Sequence, residues 1–448
     1  MELDALNLDP PRAPAAFVAS AQRAAADAAV ASAERASADT FRSIEGIARH
    51  NTRKVLDAFK AHRVGEEHFA GTTGYGHDDF GRDCLEAVFA EVMGAEAALV
   101  RGGFASGTHA IAVALFCALS PGDELLVVTG APYDTLEEVI GLRGSRQGSL
   151  QEWGITYRQI ELQADGHIDL EAVTGALSER TRVVHIQRSR GYAWRPAIGI
   201  AEIGRVAAAV HQRAPGTVVF VDNCYGEFVE AVEPCDVGAD LVAGSLIKNP
   251  GGGIVPAGGY VAGRADLVHR AACRLTAPGI GAAGGATLDG LRLLFQGLFM
   301  APHIVAEALK GAVLASRLFR ELGYLVDPLP DDSRTDLIQA VQLGDPGKLL
   351  AVCRAVQAAS PVHSYVTPVA DRVPGYESQV VMAAGTFVEG STIELSCDGP
   401  LREPFIAYWQ GGLSYAHGRI ALEECIAALS APAASIPEPE RLSGTQLA

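Results

Sequence analysis

The stretch Val218-Val219-Phe220-Val221-Asp222-Asn223 decides the fold, because four successive apolar residues are followed at once by two polar ones. A strand with one solvated face alternates apolar and polar residues, whereas a strand covered on both faces is apolar throughout. Similar runs lie on either side of this stretch, separated by segments with helical spacing. We therefore predict an α/β domain in which helices cover both faces of a large, mostly parallel sheet. The predicted strands are Ala97–Val100, Glu124–Thr129, Thr156–Ile160, Val183–Gln187, Val218–Asp222, Leu241–Ala243 and Gly259–Ala262.

The chain divides into four predicted regions. Residues 1–60, rich in alanine at helical spacing, predict a helical arm, and residues 61–300 hold the predicted large α/β domain. Residues 301–430 predict a smaller α+β C-terminal domain, and residues 431–448, rich in Pro, Ala and Ser, predict a flexible tail. The elements predicted from residue 286 onward are helix Ala286–Leu322, strand Leu337–Leu343, helix Gly347–Ala359, strands near Ser378–Ala384 and Thr392–Ser396, and helix Phe405–Leu429.

The composition argues against two classes of partner. A net charge of −17 repels phosphate backbones and anionic lipid head groups, so we expect neither nucleic acid nor a membrane surface as a partner. The N-terminus has no basic stretch leading into an apolar run, and no uninterrupted apolar segment is long enough to span a bilayer, so we expect a cytoplasmic protein. The eight cysteines lack metal-ligand spacing and are expected to be reduced core thiols, with no metal site.

Lys248 has surroundings unlike those of the other lysines. It follows the apolar stretch 241–247 and precedes Asn249-Pro250-Gly251-Gly252-Gly253. An ammonium group held near the core is costly unless it is paired or neutralised. Desolvation lowers the pKa of a lysine and makes it a nucleophile toward carbonyl groups, which favours a Schiff-base lysine. A buried ion pair is the alternative interpretation.

Asp222 ends the predicted strand Val218–Asp222 and lies 26 residues before Lys248 in the sequence. In an open parallel sheet, the carboxyl ends of the strands face the ligand crevice. A carboxylate in that position can bind the protonated ring nitrogen of pyridoxal phosphate (PLP) and preserve the ring as an electron sink. The alternative is an aspartate that caps the next helix.

An anion site is predicted between a short strand and a helix, in Arg101-Gly102-Gly103-Phe104-Ala105-Ser106-Gly107-Thr108. Small residues leave backbone N–H groups open at the start of the helix, and the hydroxyls of Ser106 and Thr108 add donors for a phosphate. The segment lacks the Gly-Lys-Ser/Thr ending of a P-loop. Ser245, three residues before Lys248, is a further candidate donor.

Tyr133 follows the strand that ends at Thr129, in Gly130-Ala131-Pro132-Tyr133-Asp134. An aromatic ring at that strand end is placed to stack on a pyridine ring. A half-buried loop tyrosine is the alternative.

The order of these residues resembles that of fold-type I PLP enzymes of cysteine and methionine metabolism. Within that group the chain resembles the methionine gamma-lyase family, also called the aluminium-resistance protein family, over residues 40–428. The segments that carry the resemblance are GYGHDDFGRD (74–83), QRSRGY (187–192) and IELSCDGPLR (393–402). The resemblance implies a PLP-dependent transferase-like fold, with PLP held by Ser106, Gly107, Thr108, Tyr133, Asp222, Ser245 and Lys248.

The resemblance also implies an oligomer and a substrate-binding arginine. Active sites at the interface of a homodimer, or of a homotetramer, would receive Tyr75 and Arg82 from the neighbouring subunit. The Arg-Leu-Ser stretch that binds the substrate carboxylate in the wider group is not found here, and Ile247 replaces the usual threonine before the lysine. Arg402 is the proposed substitute, with Arg188 and Arg190 as rivals, because a guanidinium binds a carboxylate through two hydrogen bonds.

The implied activity is a carbon–sulfur lyase. We expect β- or γ-elimination from a cysteine- or methionine-type amino acid, with Lys248, Tyr133 and Asp222 as the catalytic residues. An aminotransferase or aldolase would use the same cofactor residues and remains open, as does a noncatalytic PLP-binding protein. A dinucleotide-binding dehydrogenase is disfavoured, because no glycine-rich turn is followed by an acidic residue at the required spacing.

Overall fold

The computed structural model describes residues 20–372 and 378–430. The predicted tail, and residues 1–19 of the predicted arm, lie outside the described residues. The described helices are α1 Ser20–Ala36, α2 Ala38–Ala61, α3 Phe80–Val92, α4 Gly107–Ala118, α5 Asp134–Ile140, α6 Leu170–Ala176, α7 Ile200–Arg213, α8 Ala265–Leu275, α9 Leu291–Glu321, α10 Pro346–Ala359 and α11 Tyr415–Ser430.

A large sheet of seven strands forms the centre of the molecule. The strands are β1 Ala97–Arg101, β2 Glu124–Val127, β3 Thr156–Gln159, β4 Thr181–Gln187, β5 Val218–Asp222, β6 Leu241–Ser245 and β7 Gly259–Gly263. Their order is β1-β7-β6-β5-β4-β2-β3, and β7 runs antiparallel to both of its neighbours while the other six are parallel to one another. Each strand overlaps one of the seven predicted strands.

Both faces of this sheet are covered, as the unbroken apolar runs predict. In β5, Val219 and Val221 pack into a core with α3, α7 and α9, whereas Val218 and Phe220 pack into a second core with α4 and α8. All five residues of β5 are buried. The strand is therefore apolar at every position because successive side chains enter two different cores.

A smaller antiparallel sheet follows. Its strands are β8 Leu325–Asp327, β9 Gln339–Gln342, β10 Val380–Ala383, β11 Ser396–Pro400 and β12 Ile406–Gln410, in the order β10-β11-β12-β9-β8. Together the two sheets confirm the predicted fold class of a large α/β body with a smaller α+β part.

Two predictions for the smaller part of the molecule were wrong, and one strand was missed. The predicted helix Phe405–Leu429 begins as β12, and the helix itself starts only at Tyr415. Gly411 and Gly412, both at positive φ, separate the two elements, and a side chain at Gly411 would collide with the carbonyl oxygen of Glu394. The strand predicted at Thr392–Ser396 instead starts at Ser396, and the short strand β8 was not predicted.

The helical arm packs on both parts of the molecule. Ala26, Val30 and Ala33 of α1 enter the core of the smaller sheet, while Val55 and Ala58 of α2 enter the core of the large one. Helix α9 is long and apolar enough to cross a membrane by length and composition, but 72% of its apolar window is buried inside the protein. It is a core helix that joins the two parts.

Candidate active site

The carboxyl ends of β5 and β6 bring Asp222 and Lys248 together. Asp222 is the last residue of β5 and lies opposite Gln187 of β4 and Ala243 of β6 in the sheet register. Lys248 follows the end of β6 by three residues. This edge of the sheet is where open α/β folds bind ligands.

Asp222 faces Lys248 from a buried position. Its Oδ1 accepts a hydrogen bond of 3.1 Å from the backbone N–H of Cys224, and the Cys224 thiol bonds to the same carboxylate. Burial raises the pKa of Asp222, and the positive charge of Lys248 and the bonds from Cys224 oppose that shift without cancelling it. The carboxylate is therefore held in a dry site where a cation is its natural partner.

The pKa of Lys248 shifts in the direction opposite to the one expected from burial alone. Burial lowers the pKa of Lys248, but Cys224, Tyr225, Asp222 and Tyr133 surround the ammonium, and their combined effect raises the pKa above its usual value. Asp222 is the group in this set that carries a charge near neutral pH. The protonated form of Lys248 is therefore favoured at this site, and the expectation of a pKa lowered by desolvation was wrong for this arrangement.

The predicted anion site forms at the start of α4. Ser106 caps the helix, since its Oγ accepts a 3.0 Å bond from the backbone N–H of His109. A side chain at Gly107 would lie only 3.0 Å from Cβ of Ser245 and 3.7 Å from Sγ of Cys224. The start of α4 therefore touches the end of β6, which brings Ser245 close to the helix N-terminus, where backbone N–H groups suit a phosphate.

Tyr133 joins this anion site to the Asp222–Lys248 pair. Its hydroxyl donates a 3.2 Å bond to Oγ1 of Thr108, and its backbone N–H donates to Oε1 of Gln187 at 3.0 Å. Burial raises the pKa of the Tyr133 hydroxyl, and the nearby charge of Asp222 adds to the shift. A planar ring with a phosphate at one end and a ring nitrogen at the other fits this set of residues.

The three candidate arginines differ in their present partners. Arg188 is buried and bonds to Glu230 (2.6 Å) and to Oδ1 of Asn223 (2.7 Å). Arg190 is also buried and bonds to Asp327, but its Nε and Nη2 have no acceptor among the described residues. Arg402 is exposed and lines a cavity of about 160 Å³ that also reaches Asp134, the neighbour of Tyr133.

The side chain of Arg82 is buried in its own chain, whereas that of Tyr75 is exposed. Arg82 is only 1% exposed, and its guanidinium donates to the carbonyl oxygens of Gly76 (2.6 Å) and Gly285 (3.2 Å) in its own chain. This inward position gives no support to the expectation that Arg82 reaches a neighbouring site, because backbone carbonyl groups already take up its N–H groups. Tyr75 is 83% exposed, with its ring stacked on His77.

The turn after Asp222 holds residues that the sequence reasoning missed. Tyr225 and Phe228 are non-glycine residues at positive φ (72° and 62°), a sparsely populated conformation that clusters at functional sites. Nζ of Lys248 lies 4.1 Å from the centroid of the Tyr225 ring. Glu227, in the same turn, is fully buried and accepts a 2.7 Å bond from the hydroxyl of Tyr260. In the sequence, Gly226 is the residue that indicates this turn, because glycine is common where the backbone turns tightly.

Glu227 makes folding stability depend on pH. Burial raises its pKa to about 8, although the Tyr260 bond opposes the shift. Because the folded-state pKa lies above the unfolded one, the stabilisation is complete below the unfolded pKa and is lost as pH rises through the folded pKa. We expect Glu227→Gln to reduce the loss of stability between pH 5 and 9 by an amount on the order of a few kcal/mol at most.

Thermal unfolding at several pH values in this window measures the effect. The exposed control Glu179→Gln should keep the wild-type pH dependence. Equal pH dependence in Glu227→Gln and the wild type would show that Glu227 is ionised in the folded protein.

The sheet order, the lysine after β6, the carboxylate at the end of β5 and the donors at the start of α4 match the arrangement of fold-type I PLP-dependent enzymes. A family model described as methionine gamma-lyase matches residues 26–430, so the chain belongs to the methionine gamma-lyase family.

Relatives cover nearly the whole of this chain. The uncharacterized protein YnbB of Bacillus subtilis is 52% identical over 382 residues, which are 85% of this chain and 91% of the relative. The crystal structure of a carbon-sulfur lyase involved in aluminum resistance from Clostridium novyi is 45% identical, with a TM-score of 0.88 over 91% of this chain and 97% of that one. A PLP-dependent protein of Escherichia coli, YhfS, shares the fold at 21% identity and a TM-score of 0.57, over 85% of this chain and 96% of that one.

Proposed function

We propose that this protein is a PLP-dependent carbon–sulfur lyase that acts on a cysteine- or methionine-type amino acid by β- or γ-elimination. The observation that carries the proposal is the position of Lys248 and Asp222 at the ends of neighbouring strands, beside the point where the start of α4 touches the end of β6. The family match and the name of the Clostridium novyi relative support the choice of carbon–sulfur chemistry over other PLP reactions.

Each residue of the site has a distinct task in this proposal. When bound, PLP supplies an electron sink for charge that develops at the substrate Cα. Lys248 would hold the cofactor through its Nζ and would move the proton at the substrate Cα. Asp222 keeps the ring nitrogen protonated, and Tyr133 stacks on the ring and is placed to assist proton transfer. The donors at the start of α4, with Ser245, bind the phosphate.

The proposed reaction is tested by its products. Purified protein incubated with sulfur amino acids, without any keto acid added, should release a thiol, ammonia and a keto acid. Breakage of the C–S bond leaves an enamine, which tautomerises to an imine, and water hydrolyses the imine to ammonia and the keto acid. Turnover that requires a keto-acid acceptor would identify an aminotransferase instead. Cleavage of a Cα–Cβ bond in hydroxy amino acids would identify an aldolase, and PLP binding without turnover of any of these substrates would identify a noncatalytic protein.

Arg402 is proposed to bind the substrate carboxylate. Its guanidinium is exposed at the cavity wall, whereas that of Arg188 is engaged by Glu230 and Asn223. A hydrogen bond to a charged group is worth about 1.5–3 kcal/mol, so Arg402→Gln should raise KM for an amino acid about 10- to 100-fold. KM for the corresponding amine, which lacks the carboxylate, should not change.

Arg190 is the rival, because two of its buried nitrogens have no acceptor among the described residues. Arg190→Gln and the exposed control Arg53→Gln are measured beside Arg402→Gln, with steady-state kinetics on the amino acid and the amine. If only Arg190→Gln removes the preference for the amino acid, the carboxylate binds at Arg190 and the assignment to Arg402 is wrong.

A homodimer, or a pair of dimers, is proposed to complete the site. Tyr75, Phe80, Ile280 and Leu288 are large exposed apolar side chains on connected loops, since backbone bonds join Tyr75 to Gly285 and Thr72 to Leu288. Clustered apolar groups of this size are typical of interfaces between proteins. In this arrangement Tyr75, rather than Arg82, reaches the partner's cofactor. Sedimentation of a monomer at micromolar concentration would overturn the proposal.

A further inference from the structure

Lys248 rests on the face of an aromatic ring that the proposed reaction has not yet used. Its Nζ lies 4.1 Å from the centroid of Tyr225, within the range of a cation–π contact. In a reaction in which the substrate displaces the lysine from the cofactor, the side chain must at one stage carry a free amine.

The Tyr225 ring is fixed in this place from several sides. Its backbone is in the left-handed region (φ 72°), and the next residue must be Gly226, because a side chain there would lie 2.4 Å from the Arg188 side chain. The ring packs against a small apolar cluster from the smaller sheet. A strained residue held by both parts of the molecule is costly to maintain and points to a functional role.

We propose that Tyr225 is a positioning residue, which holds the Lys248 ammonium whenever the lysine is not bound to the cofactor and so sets its protonation during proton transfer. This inference rests on the proposed role of Lys248 as the acid–base group of the lyase. It adds a residue outside the set that holds the cofactor.

The charges around Lys248 explain why an aromatic face matters there. The other titratable groups near the ammonium are Cys224, Asp222, Tyr133 and Glu227. Once Asp222 is paired with a protonated ring nitrogen, its charge is compensated, and burial keeps the tyrosines, the thiol and Glu227 in their neutral forms. The face of Tyr225 then remains as the group that favours the ammonium over the neutral amine.

Two substitutions separate the ring face from the hydroxyl. Tyr225→Phe keeps the face and loses the hydroxyl, whereas Tyr225→Met removes the face and fills similar space with an adaptable side chain. Loss of a cation–π contact should lower the pKa of the free lysine by about one unit, because the protonated form loses its partner. Tyr225→Leu serves as a second ringless variant if the methionine variant does not fold.

Two readouts are compared across pH. The first is the rate at which PLP becomes attached to Lys248 in full-length protein stripped of cofactor, which requires the neutral amine and no lyase activity. The second is the pH profile of kcat. In the ringless variants, the part of each pH profile that reflects ionisation of Lys248 should move about one pH unit lower. The profiles of Tyr225→Phe should match those of the wild type.

Tyr408→Leu is the matched control, since Tyr408 belongs to the same apolar cluster and is not in contact with the lysine. It should leave the pH profiles in place. The proposal is overturned if both ringless variants keep the wild-type profiles, or if Tyr225→Phe shifts them as far as Tyr225→Met does. The attachment measurement remains decisive even if no substrate is turned over, so failure of the lyase proposal is distinguished from failure of this one.

Discussion

Replacing Lys248 with alanine should reduce turnover by at least about 10³-fold, the largest effect expected in this protein. The substitution removes the group that holds the cofactor and the acid–base group that moves the Cα proton, and a positioned acid–base group alone contributes about 10²- to 10⁴-fold. Steady-state rates on the best sulfur amino acid measure the loss. Absorbance of bound PLP measures whether the cofactor is still retained through the anion site.

The exposed Lys60→Ala is the control for loss of a lysine and should have normal turnover. An added primary amine should restore part of the activity of Lys248→Ala if the missing function is proton transfer. Turnover of Lys248→Ala within about tenfold of the wild type would exclude this lysine from the reaction.

Asp222→Asn should lower kcat by about 10²- to 10³-fold while PLP stays bound. The amide keeps the shape of the side chain but removes the charge that keeps the ring nitrogen protonated, and one preorganised electrostatic contact is worth about that factor. Asp222→Ala should be at least as impaired, because it also loses the bonds from Cys224.

The rate of Cα proton exchange in deuterated solvent measures the affected step directly. If Asp222→Asn exchanges this proton at the wild-type rate, another group partners the ring nitrogen, and the alternative of a helix-capping aspartate gains support.

The large sheet could be predicted in detail, for a physical reason. Strands buried on both faces leave an unbroken apolar run in the sequence, and Val218–Asp222 is one such run whose side chains enter two cores. The same geometry predicts where the site lies, because polar residues directly after parallel strands meet at one edge of the sheet. Asp222 and Lys248 were found in this way.

The smaller sheet was harder to predict because its signals overlap. The apolar run of β12 precedes helix α11 closely, and only the two glycines at 411 and 412 mark the boundary between them. Strand β8 is three residues long and has an exposed first residue, so it carries no clear apolar pattern.

Several features of the site that the sequence did not indicate depend on tertiary structure. The upward shift in the pKa of Lys248 depends on which groups surround it, and the inward turn of Arg82 depends on carbonyl groups contributed by the segment near Gly285. Tyr225 reaches Lys248 only through a left-handed backbone that few residues adopt. Neither spacing nor composition contains this information.

The most direct test of the account is to locate the cofactor on the chain. Purified protein should be yellow, and reduction with borohydride should fix the pyridoxyl group irreversibly on one lysine. After digestion and mass spectrometry, the account predicts that the label lies in the peptide containing Lys248 and that the Lys248→Ala variant carries no label. A label on any other lysine, or no label on protein that retains PLP, would contradict it.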